Sequence, residues 1–372
     1  MPDVYTRDQA QISVLVNGKR LQGWTQSEVS RSIESIAATF SVPVTFDPSQ
    51  AKPVERQDMV SVLIGDTVVA KGVVISAEPF YRKDNIGLRV VGRDLSGDLI
   101  HSAALHQAGQ WRKVKIDRII GDVLKPFGIG LELAADVGPA VTDFKLGHGE
   151  TCLDVIARAA RLQGLLAIRS EAGGVQLTKA GTKRFEGVIR RGWNVVSMEG
   201  IGSDEHRFRE YRVYGQSSPL ADFDQARNLK AVAKDDGIGR YLPSIISSEG
   251  NVTQAELQRL VDHTMRVRRG HALGFRYVVE GWTFKGKPWP INQRVLIDDP
   301  VAGLNGVEWL IASAKATVDV EAGDVTELIV RPIEAYDSVP LRSKIRRHNV
   351  RDVPRGRDHH DVQIDSIYQD VK

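Results

Sequence analysis

The stretch Gly281-Trp282-Thr283-Phe284-Lys285-Gly286-Lys287 comes nearest to nucleotide chemistry, because its Gly-x-x-x-x-Gly-Lys spacing is that of a loop that cradles phosphates on backbone amides. Pro288 stands where the magnesium-ligating Ser or Thr belongs, and Pro288-Trp289-Pro290 cannot open the helix such a loop needs. A β-turn is the expectation. Asp298-Asp299 has the residue types for an acid–base or metal pair, but adjacent strand positions point to opposite faces, so a solvated strand end is expected. Asp358-His359-His360-Asp361 carries metal-ligand types in a polar tail with no core to fix their geometry. His148, His206, His263 and His271 are isolated from one another in sequence. Cys152, the single cysteine, falls at a helix start, where a thiol can be acidified, yet a buried small apolar role is the expectation. No His-Glu-x-x-His, Gly-x-Ser-x-Gly or Gly-x-Gly-x-x-Gly pattern occurs. The expectation is no catalytic residue, no cofactor and no metal: a β-rich structural or binding protein.

The elements that would position these residues follow from patterning. Ile12, Val14 and Val16 alternate, as do Ile36, Ala38, Phe40, Val42, Val44 and Phe46. With 60–64, 68–75 and 88–91 they make residues 1–100 a set of short strands, a first barrel or sandwich. Residues 101–185 change period. Ile116, Ile119, Ile120, Val123 and Leu124 share a helical face that Pro126 should stop, and Thr151 with Asp154 opens a second helix that Gly164 closes. A hairpin through Gly173-Gly174 completes an α/β domain. Residues 186–216 and 273–335 read as β again, around an insertion at 217–272 with one helix capped by Thr253 and Glu256. The tail, 336–372, has little to bury, and seven of its residues between 342 and 357 are Lys or Arg against one Asp.

Composition agrees with a globular, multi-domain protein. The 372 residues are 42% hydrophobic and 26% charged with a net charge of +3, which excludes a disordered chain and a dominant nucleic-acid footprint. No run of apolar residues is long enough to span a bilayer, no signal peptide is read at the start, and one cysteine suits a reducing cytosol. Two β segments also read alike. Residues 58–66 and 292–299 each run strand, acidic turn, strand, and each continues into a third strand, at 85–92 and 324–331. Any two β-meanders share such a pattern, so either coincidence or two related barrels fits.

One colinear set of motifs resembles a known family. The run Gly92-Arg93-Asp94-Leu95 with Asp98 resembles the segment closing the first barrel of Mu-like phage tail proteins of the gpP type, the baseplate hubs of contractile tails. Gly149-Glu150-Thr151 before the second helix, the strand ending in Gly215-Gln216, Arg240-Tyr241-Leu242-Pro243, the turn Trp289 to Asn292 and Pro332 to Ala335 follow in the family's order. Gly97 and Leu242 depart from it. The resemblance implies an α+β, mainly β fold: two similar β-barrels, an α/β domain between them, a helix-containing insertion in the second, and a homotrimer forming a pseudo-sixfold ring. It implies a non-enzymatic hub in the virion baseplate, assembled in the host cytoplasm. The hub would join the sixfold tail tube to the threefold tail spike among other baseplate proteins, around a channel that passes DNA without sequence-specific binding. The basic tail, through Arg346, Arg347, Arg351, Arg355 and Arg357, would contact the spike. The alternatives are a tail-associated enzyme degrading cell wall or polysaccharide, which needs a convergent carboxylate pair, and a nucleic-acid-binding protein.

Overall fold

The computed structural model describes residues 10–22, 27–45, 49, 52–82, 85–216, 229–251, 253–319 and 323–338. The chain opens with seven strands: β1 (Ile12–Val16), β2 (Lys19–Gln22), β3 (Glu28–Ser32), β4 (Thr39–Thr45), β5 (Met59–Ile64), β6 (Thr67–Arg82) and β7 (Asn85–Asp94). They pair in the order β3-β4-β7-β6-β5-β1-β2. Alternation puts Ile12, Val14, Phe40, Val42, Val60, Val62, Leu88 and Val90 into one core, each 3% exposed or less. Asn17 and Gly18, both at positive φ, make the tight turn between β1 and β2. The strand expected to start near residue 35 starts at Thr39. Ser35 instead folds its side chain back on Ala37, accepting from its amide at 3.3 Å and donating to its carbonyl at 2.8 Å. Phe46 lies outside the described residues.

The next stretch packs two helices on short strands: β8 (Gln110–Val114), α1 (Ile116–Leu124), β9 (Leu131–Leu133), β10 (Val141–Lys145), α2 (Cys152–Leu162), β11 (Leu166–Arg169) and β12 (Val175–Thr178). The α1 face read from the sequence is buried in one cluster with Trp111 and Phe144, which α2 enters through Cys152, Val155, Ile156, Ala159 and Ala160; an α2 face of Leu153, Ile156, Ala157 and Ala160 was expected, but Leu153 and Ala157 are only half-buried. Thr151 and Asp154 form the expected capping box, and Gly164 takes the left-handed conformation that ends the helix (φ +64°). Pro126 does not break α1 abruptly: the chain tightens through a 3₁₀ turn, Lys125–Phe127, before Gly128.

The second β region contains β13 (Lys183–Arg190), β14 (Val195–Gly200), β18 (Phe275–Glu280), the two-residue strands β19 (Thr283–Phe284) and β20 (Lys287–Pro288), β21 (Gln293–Asp299), β22 (Leu304–Asp319) and β23 (Gly323–Arg331). Between β14 and β18 come β15 (Glu210–Gln216), β16 (Leu229–Lys234), β17 (Pro243–Asn251) and α3 (Gln254–His271). β15, read from the sequence with the second barrel, pairs with β16 and β17 in a separate three-stranded sheet. Its Tyr211 and Val213 are wholly buried against Leu257 and Val261 of α3. The insertion therefore has its own small core.

Two separate barrels were expected, and the strand pairing differs. β1–β7 and the second region belong to one thirteen-stranded sheet, because β3 pairs antiparallel with β22. Among the described residues the ladder does not close on itself: β2 and β14 end the path. The reason is the length of β22. Its first half pairs with β21, its second half, 313–317, pairs with β3, and β23 runs along its other edge.

His271 at the end of α3 stacks edge-on against Tyr336 of the closing 3₁₀ turn. Burial, then the Arg331 guanidinium, holds its imidazole below the usual histidine range. The unfolded chain then binds the extra proton, so this stability contribution is present above about pH 6.5 and lost as pH falls through the lower folded value. Urea titrations of wild type and His271→Asn between pH 5 and 8 should show the wild type losing more stability on acidification.

Candidate assembly surface

The β3–β22 junction is where the two halves of the chain meet. Val29, Ala314 and Ala316 face it and are 0–1% exposed. The Ile33 amide donates to the Ala312 carbonyl at 2.8 Å, and Ser313 Oγ donates to the Arg31 carbonyl at 3.1 Å. Lys315 and Glu28 form an ion pair of 3.0 Å on the outer face. Trp282, from the turn after β18, and Ala316 enter the first core directly.

Asp94 fastens the α/β piece to this frame. Its side chain is fully buried and accepts from the Ala38 amide (2.9 Å), the Lys71 amide (2.8 Å) and Arg169 Nε (2.6 Å). One carboxylate therefore pins the entry to β4, β6 and β11 together, and three donors with a paired cation compensate its loss of water. Beside it lies Arg31, whose Nη2 donates to the Trp289 carbonyl at 2.6 Å. Burial and then the neighbouring Arg169 push the Arg31 guanidinium down to about 10, so it stays charged at neutral pH.

The other motif residues serve the same seam. A Cβ on Gly92 would meet Phe40 Cζ at 2.2 Å, so only glycine lets β4 and β7 close over that ring. Arg93 donates to Asp98 at 3.0 Å across Gly97, where a Cβ would meet Arg93 Cδ at 2.4 Å. Gly97 thus does not interrupt the helix start: a 3₁₀ helix, Leu95–Ile100, runs through it, and Leu95 packs on the α/β core. Trp289 is fully buried between Phe185 and Phe284. Asn292 accepts from the Gly181 amide (3.0 Å) and donates to the Lys179 carbonyl (3.1 Å), tying the end of the α/β piece to the second β region. Gly215 and Gln216 lie apart from this seam, on β15.

Within the described residues, the patterns weighed for chemistry take up structural positions. Lys285 and Gly286, both at positive φ, form a tight turn between β19 and β20. Asp299 is not the solvated strand end expected. It is 1% exposed, accepts from Tyr277 Oη (3.1 Å) and the Val301 amide (3.0 Å), and so shapes the β21–β22 turn. Burial and this carboxylate raise the Tyr277 phenol. Asp298 pairs with Arg190 at 3.2 Å, so the two carboxylates do not converge. Cys152 is buried, which raises its thiol. Among the described residues no cluster of His, Cys, Asp and Glu could hold a metal, and no helix is long and apolar enough to cross a membrane. Residues 358–361 and the five tail arginines lie outside the described residues.

The duplication read from the sequence is geometric. The β5–β6 ladder and the β21–β22 ladder match pair for pair, Met59 with Val73 answering Arg294 with Leu310. Both shift register at the same step, after Val62 and after Ile297. The β6–β7 and β22–β23 ladders shift together too, between Val74 and Ser76 and between Ile311 and Ser313. Before each first strand a non-glycine residue at positive φ, Gln57 or Asn292, donates its amide to the carbonyl of Val74 or Ile311 at 2.9 Å. The copies differ beside them: β1 runs antiparallel to β5, whereas β13 runs parallel to β21.

Residues 11–94 match a family described as Mu phage baseplate assembly protein GpP-like, N-terminal, and residues 96–179 match baseplate hub protein gp44-like, second domain. The chain is 27% identical over 343 residues to the baseplate hub protein gp44 of Escherichia phage Mu, covering 89% of this chain and 90% of that one. Residues 11–179 are thus built from two domains typical of Mu-like baseplate hubs, and the likeness to the Mu hub runs along most of the chain. The chain is a structural component of a phage-type tail baseplate. Its fold is similar to that of the 43 kDa tail protein of prophage MuSo2 from Shewanella oneidensis, with a TM-score of 0.78 and 28% identity over 88% of this chain and all of that one. The tail protein from Neisseria meningitidis MC58 shares the fold with a TM-score of 0.75 and 20% identity, over 88% of this chain and 99% of that one.

In this hub Asp94→Ala should cost about 3–5 kcal/mol, because it strands Arg169 in the interior. Arg169→Met should also destabilise, and the double variant should cost less than the two single effects combined. Equilibrium urea unfolding of the four chains checks this.

Proposed function

We propose that three copies of this hub close into a ring whose six similar units present a near-sixfold face to the tail tube and a threefold face to the tail spike. The supporting observation is the pair-for-pair repeat of the β5–β6–β7 ladder in β21–β22–β23, with both bulges kept. Two equivalent units per chain are what a threefold assembly needs to match a sixfold partner without changing the sequence from one position to the next. In this reading residues 1–100 and the second β region complete two barrels within the ring. The α/β domain and the insertion sit outside them as separate domains, and the channel passes DNA without reading it. The role is non-enzymatic, and assembly takes place in the host cytoplasm before the hub joins the virion.

The motif residues Gly92, Arg93, Asp94, Leu95, Asp98, Trp289 and Asn292 keep the two units and the α/β domain in fixed relation. Gly215 and Gln216 belong to the insertion. The tail, 336–372, binds the spike through Arg346, Arg347, Arg351, Arg355 and Arg357.

Sedimentation of the hub with and without its spike protein tests the ring: the trimer mass is expected at least with spike, and a monomer under both conditions would refute it. Replacing the five tail arginines by Gln should weaken spike binding about tenfold or more at low salt. It should also flatten the salt dependence of binding and leave the unfolding midpoint unchanged.

A further inference from the structure

Among the described residues the repeat leaves two strand edges without partners, and they are equivalents of the two edges that pair inside the chain. Through the matched ladders, β22 corresponds to β6, so the β3-paired stretch 313–317 corresponds to 76–80. Likewise β4 corresponds to β18 and β3 to β14, because Phe40 sits opposite Gly92 as Phe275 sits opposite Val330. Val29 opposite Phe40 then answers to Gly200 opposite Phe275. Among the described residues no strand pairs with the 76–80 edge of β6 or with the outer edge of β14.

The burial pattern shows what is missing from these edges. Ala314 and Ala316 are 0% and 1% exposed under β3, whereas their equivalents are half-buried Ala77 and exposed Pro79. Val29 is fully buried under β22, whereas Gly200 is exposed. Val318 packs on the first core, and its equivalent Tyr81 is 86% exposed. A groove of about 880 Å³ runs along the β6 edge, between residues 54–57 and 75–79. At the corresponding place in the second region Arg31 of β3 reaches over to the Trp289 carbonyl.

Resting on the ring proposed above, we propose that the end of β14 and the three residues after it, 199–203, of one hub chain pair antiparallel with the 76–80 edge of β6 in the next, repeating the β3–β22 junction between chains. The register follows from the internal junction, where Ser313 pairs with Ser32, Lys315 with Ser30 and Thr317 with Glu28. Between chains Ser76 faces Ser203, Glu78 faces Ile201 and Phe80 faces Glu199. The backbone polarity fits. The Ile201 amide is used on the β18 side, donating to Gly274, so the amide of Gly200, the last residue of β14, points outward. On β6, Ala77 and Tyr81 each offer a donor and an acceptor, while Pro79 offers a carbonyl alone. Pro79 and the charge of Glu78 also keep this edge from pairing with unrelated strands before the ring forms. The contact is heterologous, one edge type against the other, which is what a closing ring uses.

A cysteine pair tests the register, since Cys152 is buried and the chain has no other thiol. Glu78 and Ile201 are placed as a non-hydrogen-bonded pair, with Cα atoms about 4.5 Å apart, within disulfide reach. Oxidised Glu78→Cys/Ile201→Cys hub is expected to run as a covalent trimer on a denaturing gel, and each single variant as a monomer. Hydrogen exchange on the unmodified hub is the second measurement: peptides 76–82 and 196–203 should exchange at least tenfold more slowly in the trimer than in the monomer. A trimer whose cysteine pair does not cross-link and whose two peptides stay unprotected would overturn the edge pairing while leaving the ring intact. A hub that is monomeric with and without spike would overturn the ring itself.

Discussion

A strand of sixteen residues cannot satisfy its backbone with one neighbour, and β22 obliges the rest of the chain to supply three. β23 runs along one edge, while β21 and then β3 share the other. That demand draws a strand from the first thirty-odd residues across to one nearly three hundred residues later. The alanines at 314 and 316 let the two strands and the cores behind them approach closely, and Trp282 crosses the seam into the first core. This shared strand joins the two β regions directly, and the α/β piece joins them a second time through Asp94–Arg169 and Asn292–Gly181.

The buried charges reinforce the same seam at its most expensive point. Asp94 brings the entry to β4, β6 and the α/β piece to one carboxylate, and Arg31 carries a second cation to the Trp289 turn. Burying charge contributes little net stability. What it supplies here is geometric definition, since each group has a partner only when three parts of the chain stand in register. Hydrogen bonds to charged groups are directional where apolar packing is not.

Much of this was legible in the sequence, for identifiable reasons. Alternation marked β1, β4, β5 and β6 because one face of each is apolar, and the capping boxes at Thr151 and Thr253 marked α2 and α3. β3 was missed because Glu28-Val29-Ser30-Arg31-Ser32 shows a single apolar residue: its second inward position is a buried arginine. β16 and β17 were missed because their neighbours, not their own patterning, make them strands. Asp299 looked solvated because nothing local announces Tyr277, which reaches it from another strand. The motif around Asp94 could be recognised as a motif, but its mechanism could not, since Arg169 lies 75 residues away. The duplication stayed ambiguous until the ladders were compared, because shared bulges and shared positive-φ residues are properties of backbone pairing rather than of residue type.

The central claim is that the geometry joining the two halves of one chain is repeated around a complete assembly. Electron cryomicroscopy of the hub bound to its spike, averaged down the long axis, tests it most directly. Six lobes of nearly equal density around an open centre are expected, sixfold at low resolution and resolving into threefold symmetry as the insertion and the α/β piece become distinct. Three lobes separated by gaps, or an arc with free ends, would contradict it.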